Sequence, residues 1–364
     1  MLSHSARRQL GAIGSHNKGL TICSVSFGSK HLLELNYELT TRLNLADRLA
    51  RWIVVDNTPS EEGDRLAAGD SRFDVHAGVD KPPPQKGSGS YQHGGGINRA
   101  LQEVKSRFVL ILDPDFFIIE RDWVPRVLAY MDRNDLAFFG APWHPRWYRK
   151  WRYFPCAHCM FVDLNRVERR ELNFEPEIAR QPSPYVSPLL SDLRRLRNQR
   201  QWLRVWGWAL RNLRTLLEED RRERLTIGSS RDTGIDIFSR FSERSDIRFA
   251  VLTPVYRPHE DEFVPSPDTG ADPRPRPRRV LEYFRADRLS FVPKRRGYFS
   301  RRGFKQFGLP DLRARGWEEF LWLSRPFGFH IRMGDKTEGE RLNSLQQIRE
   351  VVGAFVSTAG QAPG

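Results

Sequence analysis

The sequence predicts an α/β fold: an open, mainly parallel sheet with flanking helices and a basic helical insertion. Three observations lead to that expectation. Short apolar runs alternate with segments of helical spacing through the first half of the chain. Acidic residues follow directly on the ends of two of those runs. The chain has 364 residues of which 39% are hydrophobic, enough to bury a core of one large or two small domains.

Leu20 to Ser26 (LTICSVS) is rich in strand-forming residues and is followed by Gly28, then by leucines at helical intervals from His31 to Leu49. This reads as strand, turn and helix. Trp52 to Val55 is a second strand, running into Asp56-Asn57-Thr58-Pro59, and Asp74 to Ala77 is a third. Gly94 to Glu103 has the character of a helix start, and Phe108 to Leu112 is a strand that delivers Asp113-Pro114-Asp115. In open α/β sheets ligands gather at the carboxyl ends of strands, where Asp56 and the Asp113/Asp115 pair emerge.

Beyond residue 135 the pattern changes to aromatic-rich sequence and one further strand, Cys159 to Val162. The organisation expected is a flexible tail over 1–19, an α/β core over 20–178, a basic amphipathic helical insertion over 179–225, a further part of the same domain with a C-terminal helix over 226–356, and a second tail over 357–364. Residues 265–279 are rich in proline and charge and read as a loop.

A net charge of +14 implies a polyanionic partner: phosphorylated small molecules, an anionic membrane surface or nucleic acid. No helix-turn-helix, zinc-finger or ribonucleoprotein motif is present, and no nucleic acid partner is expected. The first strand is not followed by G-x-G-x-x-G, which argues against a nicotinamide dehydrogenase. Its turn, Ser26-Phe27-Gly28-Ser29-Lys30, also lacks the Gly-rich, Arg-containing loop of a sugar nucleotidyltransferase.

Three cysteines cannot form a fully paired set. Cys156 and Cys159 have zinc-like spacing but no second pair, so they read as packing. The runs Arg107 to Ile119 and Trp202 to Leu210 are too short or too charged to cross a bilayer core of about 30 Å. Residues 1–19 lack the apolar stretch of a secretory leader, so a cytoplasmic chain is expected.

Two aspartates one residue apart at a strand end offer oxygen ligands to Mg²⁺ or Mn²⁺. Taken alone, the pair is equally a turn with two solvated carboxylates. The order of segments sharpens the reading. His93-Gly94-Gly95-Gly96-Ile97-Asn98 stands just before the strand Phe108 to Leu112 and Asp113-Pro114-Asp115, after Thr21 to Gly28 and Val54-Val55-Asp56-Asn57. Over residues 20–165 this order resembles the GT-A glycosyltransferases, especially the inverting, family 2-like group with its Asp-x-Asp metal motif.

The resemblance implies a nucleotide-sugar donor, a divalent cation (Mn²⁺ or Mg²⁺) and a glycan or lipid-linked acceptor. Asp56 would recognise the base, with Ser26, Asn57, His93 and Asn98 also on the donor side. Asp113 would contact ribose or metal, and Asp115 the metal that bridges the diphosphate. A histidine far down the chain often completes such a site, and His330, within Phe329-His330-Ile331, is the candidate; a packed histidine with one backbone bond is the competing assignment.

Inverting transfer needs a general base near the acceptor hydroxyl. Asp232 is the first candidate, with Asp236 in reserve, although Asp232 is also suited to cap the helix that follows. Trp143 and Trp147 have faces for stacking on sugars at the acceptor side, or else belong to a packed loop. Between Leu189 and Leu217 tryptophans alternate with arginines, a composition suited to an anionic membrane surface and equally to packing on the catalytic domain. A catalytically inactive GT-A-like scaffold and a basic polyanion-binding protein are the other function classes compatible with the sequence.

Overall fold

The computed structural model describes residues 19–44, 49–59, 64–79, 89–144, 153–176, 233–242, 244–257, 299–331 and 345–355. Strands β1 (Leu20–Ser26), β2 (Leu49–Asp56), β3 (Asp74–Ala77) and β4 (Phe108–Leu112) stand where the apolar runs predict them. With β6 (Phe138–Gly140), β7 (Cys159–Asp163) and β8 (Phe249–Val251) they form a seven-stranded sheet in the order β3-β2-β1-β4-β7-β6-β8. β3, β2, β1 and β4 are parallel to one another, and β7 enters antiparallel between β4 and β6.

Alternate residues of the central strands enter two different cores. Ile22, Trp52, Val54, Leu110 and Leu112 face one, and Cys23, Val25, Ile53, Val55, Val109 and Ile111 face the other. A strand covered on both sides must be apolar throughout, which is why these strands read as continuous runs. Ile97, Ala100 and Leu101 of α2 (Gly89–Gln102) cover the second face, while Trp123, Val124, Val127 and Met131 of α3 (Trp123–Asn134) cover the first.

A second sheet was not expected from the sequence. β5 (Phe116–Ile118), β11 (Arg325–His330), β10 (Glu318–Trp322) and β9 (Thr253–Pro254) lie in that order, antiparallel throughout. Its Phe117, Leu321 and Phe329 share a core with Leu39 and Leu43 of α1 (Lys30–Leu43) and Ile348 and Val351 of α5 (345–355). Strands from either side of residues 179–225 meet in both sheets, β6 with β8 and β5 with β11.

Two helix boundaries differ from expectation. α1 stops at Leu43, short of Leu49, because Asn44 turns extended and caps it: its amide donates to Thr40 O (3.0 Å), and its Oδ1 accepts the Val124 N–H that opens α3 (2.9 Å). α2 starts at Gly89, ahead of Gly94. Glycine inside a helix costs about 1 kcal/mol relative to alanine. The packing explains its use here, since a Cβ on Gly94 would meet Phe174 O at 2.4 Å, and one on Gly96 would meet Val25 Cγ2 at 2.8 Å.

β10 and β11 are joined by Leu323 and Ser324, both at positive φ (49° and 64°), with Leu323 66% exposed. Left-handed backbone costs a non-glycine L-residue about 1–2 kcal/mol, and Asn-Gly suits such a two-residue turn far better. Replacing Leu323-Ser324 by Asn-Gly is therefore expected to stabilise the chain by about 1 kcal/mol, read as a higher midpoint in urea at unchanged slope.

The insertion at 179–225, the loop at 265–279, the tail at 357–364 and residues 1–18 lie outside the described residues. Among the described residues no helix is long and apolar enough to cross a membrane.

Candidate metal and donor site

The Asp113-Pro114-Asp115 corner lies at the carboxyl end of β4, which pairs with β1 at the centre of the sheet. It is held from several directions. Asp113 N–H donates to His158 O (3.0 Å). Asn36 of α1, buried beneath the corner, donates to Pro114 O (3.0 Å) and Phe116 O (2.9 Å). Asp115 O accepts the Ile331 N–H (2.9 Å), which fastens the end of β11 to the corner.

That fastening brings His330 across 215 residues of sequence, with Nε2 3.1 Å from Asp115 Oδ1. Asp113, Asp115 and His330 each present one ligand atom, and the three atoms lie within 4.8 Å of one another. Two carboxylate oxygens and one imidazole nitrogen form a donor set that fits a divalent cation such as Mn²⁺.

The electrostatics of the corner point the same way. Burial opposes charge on His330, yet Asp115 and Glu318 outweigh it and push its pKa up to about 10. Burial likewise opposes charge on His93, but Asp113, with Asp115 behind it, holds its pKa above the usual histidine value. Burial would raise Asp113, whereas His93, His330 and His158 hold it below the usual carboxylate range. The corner thus has a field that draws positive charge even onto buried groups.

His93, at the face of α2, donates through Nε2 to Asp113 Oδ1 (3.0 Å) or shares that proton with it, and its Nδ1 lies 3.2 Å from Thr233 Oγ1. Thr233 Oγ1 also donates to Ser90 O (3.3 Å). Asp232, next to Thr233 in sequence, lies outside the described residues. The helix that follows, α4 (Ile235–Phe241), has Gly234 at its N-cap position, at φ 74°. Asp236 is buried inside α4 and paired with Arg240 Nε at 2.6 Å.

The other residues expected on the donor side organise loops. Asp56 is 2% exposed; its Oδ1 accepts the N–H and hydroxyl of Thr58, and its Oδ2 accepts the Leu66 N–H (2.9 Å). Asn57 ties the 78–79 turn to α2, accepting from Val79 N–H (2.8 Å) and donating to Gln92 O (3.1 Å). Ser26 O accepts the Asn57 N–H (2.9 Å). Asn98 accepts the Phe174 N–H (2.9 Å) and donates to Asn173 Oδ1 (2.8 Å), holding the 173–174 segment against α2.

Trp143 stands edge-on to His158, ring centroids 6.2 Å apart, and His158 stacks on His330 at 4.8 Å and 8°. Trp147 lies outside the described residues. Cys156 and Cys159 are buried, in line with packing; Cys156 Sγ is 2.8 Å from His158 Nδ1.

Three contributors carry no local sequence signal. Asn36 sits in an ordinary helix, His158 in an aromatic-rich stretch, and Glu318 in a Glu-Glu pair ahead of an apolar run. Only tertiary contacts reveal them.

No protein-family model matches the chain, and no curated protein matches it in sequence. Parts of it are similar to solved structures. S. aureus TarS 1–349 is 12% identical over 43% of this chain and 50% of its own, with a TM-score of 0.32. The mannosyltransferase PcManGT from Pyrobaculum calidifontis, in complex with GDP-Man and Mn²⁺, is 15% identical over 48% of this chain and 54% of its own (TM-score 0.33). The galactosyltransferase LgtC, in complex with donor and acceptor sugar analogues, is 15% identical over 40% of this chain and 58% of its own (TM-score 0.27). The chain spans about half the length of the first of these.

Proposed function

We propose that this chain is a glycosyltransferase that moves a sugar from a nucleotide-sugar donor to a hydroxyl of a glycan or lipid-linked acceptor, with inversion. The observation that carries this reading is the convergence of Asp113, Asp115 and His330 at the carboxyl end of β4. The sequence resemblance from β1 through the Asp-x-Asp corner supports it.

Asp113, Asp115 and His330 would hold Mn²⁺ or Mg²⁺, whose charge offsets that developing on the departing diphosphate, the main electrostatic demand of the reaction. His93 keeps the Asp113 carboxylate turned into the site. Trp143 supplies an aromatic wall beside His158. Asp232 is assigned the role of general base; the hydrogen-bond reach between its neighbour Thr233 and His93 supports that assignment, and the pairing of Asp236 with Arg240 makes Asp236 the weaker choice. The excess positive charge suits phosphorylated donors, and an anionic membrane surface on the cytoplasmic side suits a lipid-linked acceptor.

Thermal melting in the presence of UDP-, GDP-, CDP- and dTDP-sugars, with and without Mn²⁺, tests the reading. A ligand at 100 times its Kd stabilises the folded state by about 2.7 kcal/mol. The expected result is stabilisation by one nucleotide class, dependent on Mn²⁺. No response to any of the four, with or without the metal, refutes the proposal.

A further inference from the structure

β10 carries two successive glutamates, Glu318 and Glu319, both buried and, by the alternation of a strand, turned to opposite faces. Glu319 has an evident structural role, since its Oε2 accepts the Phe304 N–H (2.7 Å) and its Oε1 the Leu312 N–H (2.9 Å), binding the 304–312 segment to the sheet. Glu318 does something else. It lies directly opposite His330 in the β10–β11 register, its side chain is 0% exposed, and its Oε2 is 2.8 Å from His330 Nδ1. With Nδ1 engaged there, Nε2 is the nitrogen turned to Asp115, and the stacked ring of His158 fixes the plane.

We propose that Glu318 is a positioning residue of the metal site: its carboxylate accepts the Nδ1–H of His330, and so sets the tautomer and orientation that present Nε2 as the nitrogen ligand. This rests on the metal-site reading above. A carboxylate behind a ligating histidine raises the basicity of the ligand and spares the site the rotamer entropy of an unheld ring; losing such a partner weakens metal binding by about 10–100-fold. Burying a carboxylate is costly, and the fold bears that cost at a position that touches the site through His330.

The test is Mn²⁺ binding to the full chain by electron paramagnetic resonance, with no donor present. Glu318→Gln keeps the shape and an acceptor oxygen but removes the charge. It is expected to weaken Mn²⁺ binding about 10-fold, to diminish the imidazole nitrogen coupling to the bound Mn²⁺, and to weaken Mg²⁺ binding less, since Mg²⁺ relies on oxygen ligands. In a His330→Ala background, Glu318→Gln is expected to have no further effect. Should the Gln variant fail to fold, Glu318→Asp, which keeps the charge and withdraws the oxygens by one methylene, carries the same expectations.

Wild-type Mn²⁺ affinity and nitrogen coupling in the Glu318 variant overturn the proposal, as does an equal loss in the His330→Ala background. Failure of the metal-site reading has its own signature: Mn²⁺ binding that is absent from the wild type, or unchanged by Asp115→Ala, overturns both.

Discussion

Asp115→Ala is expected to lower Mn²⁺-dependent turnover of the donor about 1,000-fold, equivalent to about 4 kcal/mol of transition-state stabilisation, while leaving the chain folded. The size follows from what the side chain does. It is one of three groups converging on the proposed cation, and the Asp115 carboxylate is 21% exposed, facing the site more than the core. The fold keeps its own fastening, because the Ile331 N–H bonds to the backbone carbonyl of Asp115, which alanine retains. His330 loses one partner but keeps Glu318, so no buried imidazole is orphaned. Release of nucleoside diphosphate reads the activity, and thermal melting of the cation-free chain reads the fold. A variant that melts as the wild type does and retains full turnover contradicts the assignment.

The second large effect is expected at a residue without a side chain. Gly94→Ala places a methyl group where Phe174 O lies 2.4 Å away, with Phe174 C and Glu175 Cα within 2.8 Å. The obstacle is backbone, which cannot swing aside as a side-chain tip does. Overpacking of this kind costs about 1–3 kcal/mol. Its consequence reaches the site because Phe174 O also accepts the Gly234 N–H (2.8 Å), and the adjacent Thr233 hydroxyl lies against His93. Displacing the 173–174 segment therefore disturbs the contact that holds His93 on Asp113. Gly94→Ala is expected to lower the urea midpoint and weaken donor binding together. Gly89→Ala, in the same helix with open space around it, is expected to do neither.

The contrast between those two positions shows what could be read in the sequence. Asp113 and Asp115 were legible because an apolar run covered on both faces ends abruptly in two carboxylates one residue apart. β1 through β4 were legible for the same reason of continuous apolarity. The second sheet was not: β5 has three residues and β9 two, too few for any period to register. His330 was reachable through its apolar flanks and the family resemblance, but Glu318 was not, since its meaning lies wholly in the cross-strand pairing with His330.

Helix ends set by tertiary contacts were illegible too. The leucine spacing through Leu49 continues past the true end of α1, and only the Asn44 side chain, engaged by α3, shows why the helix stops. Asp56 illustrates a different limit. A strand-end aspartate reads as a ligand contact, and the sequence does not show that Thr58 and Leu66 also supply it with three donors, a purely geometric fact.

The central claim is that Asp113, Asp115 and His330 hold a cation that receives the donor diphosphate. The most direct test is to titrate Mn²⁺ into the wild-type chain, followed by electron paramagnetic resonance, with and without a panel of nucleoside diphosphates. Saturable binding at one site, tightened by one nucleoside diphosphate and abolished by Asp115→Ala, is the predicted result. Mn²⁺ binding that no nucleoside diphosphate affects, or that survives Asp115→Ala unchanged, would contradict it.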